Sequence, residues 1–175
     1  MALGASTDLL REAHEAALDE IRHADTCWAF ARTLGLNVEA GAFPFAESIR
    51  LDVTLAELAV ATVRDGCITE TLGALLLAAA AHAAPQGEVR RALEQIAEEE
   101  ARHAVFSYRV VAWALARGGG PVRVAIRDAV TSARLAPDLH ELALRAGVDI
   151  AILRNALEQG IAKVLQPAAA ALLAA

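Results

Sequence analysis

Aromatic residues are scarce, 4% of the chain, and alanine is abundant. That pairing favours closely packed helices and disfavours sheets, which draw on aromatic and β-branched side chains. Runs of basic residues are missing as well. With a net charge of -6 and a pI near 5.3, this argues against nucleic acid as a partner. It also argues against an anionic membrane surface. Long apolar runs are missing too. The longest, from Leu72 to Ala84 with His82 inside it, is too short to span a bilayer. No basic segment precedes an apolar run near Met1, so no signal peptide is expected. Cysteine is limited to Cys27 and Cys67, without zinc-type spacing. A reducing, cytoplasmic setting is therefore expected, with each cysteine packing as a small buried hydrophobe.

What is present suits one helical domain over residues 1–175. Hydrophobic residues make up 56% and charged residues 22%, enough for a sizeable core. Punctuation predicts an all-α chain with three long helices. The first covers about 7–34, with Ser6, Thr7 or Asp8 as cap and Gly35 as stop. A loop with Gly41 and Pro44 follows. The second covers about 54–84, opened by Thr54 and Glu57 in a capping box. The third covers about 87–117, stopped by Gly118, Gly119, Gly120 and Pro121. Smaller helices are expected within 121–166, broken at Pro137 and Gly147, with a restart at Asp138 and Glu141 and an end at Gln166 before Pro167.

Each long helix carries a stripe stepping by three and four, the seam that faces partners in a bundle. The seams are apolar at both ends and polar in the middle: Glu20 and His23 in the first, Glu70 in the second, Glu100 and His103 in the third. Carboxylates are rarely buried without positive charge, and no lysine or arginine shares these seams. Two divalent ions would supply that charge and would also use the imidazoles. Residues three apart share a helix face, so Glu20 with His23, and Glu100 with His103, can each reach one ion. Glu-x-x-His from two helices plus single glutamates from two others is a known di-metal ligand set.

Glu-x-x-His alone arises readily by chance. The longer unit does not: Asp19-Glu20-Ile21-Arg22-His23-Ala24 parallels Glu99-Glu100-Ala101-Arg102-His103-Ala104, 80 residues on. The plain alternative is two polar layers that hydrogen-bond across a helical core. His14, His82 and His140 lack a glutamate three residues earlier and are read as surface or cap residues. Trp28, Trp113 and Tyr108 are expected to pack between helices.

The twin unit resembles the motif of the non-haem di-iron carboxylate proteins in the ferritin-like superfamily. Gly66-Cys67-Ile68-Thr69-Glu70-Thr71-Leu72 is similar to the third helix of a bacterial branch of ferritin-like domain proteins. Ala16 to Ala24 is similar to its second helix. The resemblance covers most of the chain, including Gln166-Pro167. It implies Glu20, His23, Glu70, Glu100 and His103 as ligands of two metal ions, iron or else manganese. It implies Asp19 and Glu99 as acceptors that orient the histidines, with Arg22 and Arg102 in the same network. It also implies that the family's first helix, with its glutamate, is absent here. Glu12 and Glu15 lie on the same helix as Glu20 and cannot approach from a fourth direction. A truncated reading frame, a partner chain donating a helix, a homo-oligomer or loss of function would each account for the gap.

Three functions follow as expectations. One is an oxidoreductase that activates molecular oxygen on an unknown substrate. Another is an iron- or manganese-binding or ferroxidase-type protein. The last is a degenerate bundle that needs a partner helix to cover its seams.

Overall fold

The computed structural model describes residues 3–36, 41, 52–132 and 148–174. Every regular element among them is helical, and no strand occurs among the described residues. The fold class is all-α. The chain forms two compact units, Met1–Thr54 and Leu55–Ala175.

The first unit contains α1 (Thr7–Thr33). Ser6 caps it, the hydroxyl accepting from the Leu9 N–H at 3.3 Å. Asp8 in the first turn and Arg32 in the last complement the helix dipole. At the other end Gly35 turns left-handed at φ +79°. There the Leu36 N–H reaches Ala31 O at 3.0 Å and the Gly35 N–H reaches Arg32 O at 3.0 Å. This double closure satisfies carbonyls that the helix end would otherwise orphan.

The second unit opens with α2, a continuous helix over Leu55–Ala83. Its middle, Thr62–Glu70, is a π-helix, with α-helix on both sides. The side chains follow the wider turn: the Thr69 hydroxyl donates to Arg64 O, five residues back, at 2.9 Å. Taken whole, this 29-residue helix is long and apolar enough to cross a membrane by length and composition, which the short run from Leu72 did not suggest. Glu70 lies within it, and it packs along α3. It ends at Ala84, extended at φ -68° and ψ 146° because Pro85 disfavours a helical residue before it. The Arg90 side chain then donates to the carbonyls of His82, at 3.1 Å, and Ala84.

Next comes α3 (Glu88–Ser132), helical on both sides of one residue, Gly119, at φ 56° and ψ -136°. The stop expected at Gly118–Gly120 is therefore a kink. Helix resumes at once because Pro121 stands in the first turn of the second stretch, where its missing N–H has no partner to lose. Asp149 caps α4 (Ile150–Gly160), accepting from the Ala151 N–H at 2.8 Å. A π turn, Ile161–Leu165, links α4 to α5 (Gln166–Ala174). The helical run thus passes through Pro167 and does not end before it. A proline ring clashes with the carbonyl four residues back in a regular helix, and the preceding π turn widens the helix there. Pro44, Pro137, Asp138, His140, Glu141 and Gly147 lie outside the described residues.

The core of this unit joins Ala59, Val63 and Cys67 of α2 to Val111, Ala114 and Ile126 of α3. Each large aliphatic group buried there contributes roughly 1.5–3 kcal/mol. Trp113 and Tyr108 pack against it, partly buried. Small residues set the closest approaches. A Cβ at Gly66 would collide with Ser107 on α3, and one at Gly160 with Leu75 on α2.

Candidate metal centre

Side chains in the middle of the second unit converge. Glu70 closes the π segment of α2, and Glu100 and His103 sit one turn apart on α3. A ligand atom from each of the three lies within 4.8 Å of the others. His103 Nδ1 stands 3.5 Å from Glu100 Oε2, and both side chains are largely shielded from water, at 8% and 12% exposure. On the adjoining face of α3, Glu99 is buried. It lies 3.5 Å from the exposed Arg102 guanidinium and accepts from Gln95 Nε2 at 3.3 Å. The long arginine stem lets the charge stay in water while reaching a buried carboxylate.

The first unit holds the other copy of the repeat. On α1, His23 Nδ1 lies 3.7 Å from Glu20 Oε2, and Arg22 is ion-paired with Asp19. Spacing of three along a helix produces both contacts, as on α3.

The donor set in the second unit is two carboxylates and an imidazole. Two like charges at this separation in a shielded site repel strongly, and a divalent ion between them would offset that repulsion. Oxygen and nitrogen donors of this kind suit iron, manganese or zinc. The residues present therefore fit a metal.

Sulfur is not among the suitable donors here. Cys67 is buried, and burial pushes its thiol pKa up to about 12, so it stays protonated and unreactive. Cys27 is exposed and not the buried hydrophobe expected from its stripe. His14 and His82 are exposed.

Seam periodicity overlooked a polar group between α2 and α3. The Cys67 carbonyl accepts from the Thr71 hydroxyl at 2.6 Å and, more distantly, from the Tyr108 hydroxyl at 3.4 Å. Tyr108 also lies 3.5 Å from Thr71 Oγ1. Burial is the main cause that raises the Tyr108 pKa. The available signal was threonine density: Thr62, Thr69 and Thr71 all bond back to carbonyls of their own helix, which loosens the regular ladder. π segments often mark functional sites, and Glu70 lies at the end of this one.

No family model, curated protein or solved structure matches the chain, so the function must be argued from the residues themselves.

Proposed function

We propose that the chain is a ferritin-like di-metal carboxylate protein that activates oxygen as an oxidoreductase. The observation that carries this is the convergence of Glu70, Glu100 and His103 ligand atoms within 4.8 Å, in a shielded site of the second unit. Glu20 and His23 are assigned as the second Glu-x-x-His pair. The support is that their intrahelical geometry, 3.7 Å between donor atoms, matches the 3.5 Å of Glu100 and His103.

Two ions, iron with manganese as the alternative, would be held, one at Glu70, Glu100 and His103 and one at Glu20 and His23. Bound iron would supply electron exchange with oxygen, which no side chain of this set can do alone. The chain's own part is electrostatic and positional. Glu70 and Glu100 offer carboxylate oxygens where a cation belongs, His103 offers a ring nitrogen, and the shielding keeps water from competing. Asp19 and Glu99 are assigned to orient the histidines, with Arg22 and Arg102 fixing those carboxylates from the solvent side.

Metal content of the purified chain, by elemental analysis, tests this directly. About two iron or manganese atoms per chain are expected, lost in Glu100→Ala/His103→Ala. Metal-free protein that takes up none from ferrous or manganous solution sinks the proposal. Iron-loaded protein that consumes no oxygen would leave only the binding role.

A second reading, a bundle that needs a partner helix, is favoured by one feature. Leu18 and Ile21, one turn apart on α1, are 57% and 60% exposed. A partner there would cover apolar surface and could add the fourth glutamate. Light scattering of wild type and Leu18→Glu/Ile21→Glu tests it: an assembly that dissociates in the variant supports it, and a wild-type monomer removes it.

A further inference from the structure

Away from the carboxylates, the second unit carries a half-open cavity of about 190 Å³. Glu70, Glu100 and His103 do not line it. Both π stretches do: Val63 and Cys67 come from the first, Ile161 and Leu165 from the second. Tyr108 reaches in from α3, and the exposed Gln166 stands at the rim.

The cavity walls are almost wholly aliphatic, and a concave apolar surface gains by burying an apolar ligand against it. Water is a poor filler for apolar walls: an apolar cavity of about 150 Å³ stays dry yet accepts benzene. One polar group on the wall is under-used. The Tyr108 hydroxyl has partners at 3.4 and 3.5 Å, both well beyond the roughly 2.7–2.8 Å of a good O–H···O bond. A ligand oxygen at normal distance would be a better partner than either.

We infer that this cavity is a binding site for a small apolar molecule, about the size of one substituted ring, carrying a single hydroxyl or carbonyl that pairs with Tyr108. Volume sets the size class, the aliphatic walls set the polarity, and the tyrosine sets the one polar contact. The site needs no metal, so it stands or falls separately from the proposed function.

The test uses full-length protein stripped of metal by chelation, with phenol and toluene as probes and titration calorimetry or ligand-observed NMR as the readout. Saturable one-site binding of both probes is expected. Tyr108→Phe keeps the shape and removes the hydroxyl, so the phenol-to-toluene affinity ratio should fall about fivefold, the scale of one net hydrogen bond. Ala169, also on the wall, becomes a plug as Ala169→Leu and should weaken both probes more than about tenfold, with helical circular dichroism unchanged. Absence of saturable binding to wild type overturns the inference, as does full binding by a folded Ala169→Leu. Should that variant fail to fold, Tyr108→Phe decides: a lowered ratio supports the site and an unchanged ratio overturns it.

Discussion

The two copies of the six-residue unit, on α1 and on α3, share their local geometry and differ in their surroundings. In each, the histidine stands a little under 4 Å from the glutamate three residues back, and the arginine meets the acidic residue three back. Helical spacing alone produces this much. The Glu100 side chain, though, is 12% exposed, whereas the Glu20 side chain is 54% exposed. A repeated sequence thus fixes intrahelical pairs. The neighbours each helix acquires decide how strongly a charge is felt.

Metal binding should separate the copies most sharply. Glu100→Ala/His103→Ala is expected to leave about zero ions per chain, and Glu20→Ala/His23→Ala about one, because Glu70, Glu100 and His103 remain together. Equal loss in both, by elemental analysis, would make the copies equivalent and break the comparison.

Glycines sharpen it next. Gly66→Ala should cost about 1–3 kcal/mol in urea unfolding, since its Cβ meets Ser107. Ser107→Gly should restore most of that. In the first unit, Gly35→Ala should cost about 1–2 kcal/mol for a different reason, its left-handed φ of +79° with nothing within 4 Å. No neighbouring substitution should rescue it.

The cysteines differ in the same way. The folded-state pKa of Cys67 lies near 12, above the ordinary 9.0, so the folded state holds a proton that the unfolded state releases. Its contribution to stability is complete below pH 9 and is lost as pH rises toward 12, by at most about 1.4 kcal/mol per pH unit. Cys67→Ala should flatten that decline in urea midpoints. The smallest effect belongs to the arginines. Arg22→Ala and Arg102→Ala remove pairs whose guanidinium is more than half exposed, so each should cost under about 1 kcal/mol by thermal melting.

Much of the second unit was legible in the sequence because period and burial agree there. Along the α3 seam Ile96, His103, Ser107 and Ala114 are buried, while Leu93, Glu100 and Val110 are partly buried. Along the α2 seam Val63, Cys67, Ala74 and Ala81 are buried, while Val60, Glu70 and Leu77 are partly buried. That Glu70, Glu100 and His103 converge followed from those seams. The π segment was not legible. Widening a turn by one residue leaves composition unchanged, and a heptad count steps over it without conflict. The kink at Gly119 was half legible: three glycines and a proline announce a break, but the same proline also suits the first turn of a new helix. On α1, Cys27 shows the limit of a stripe, since period places a residue on a face and says nothing about what covers that face.

Arg90 ties the end of one helix to the start of another. The last carbonyls of α2 are held by a side chain in the first turn of α3, across a link with Gly87 at φ 141°. Fraying of either terminus therefore removes the other's partner. The two helix ends should open as one unit in hydrogen exchange, with matched protection for amides near Ala83 and near Arg91. Contacts so near in sequence close cheaply and early, so the α2–α3 hairpin is expected to form before α4 docks onto it.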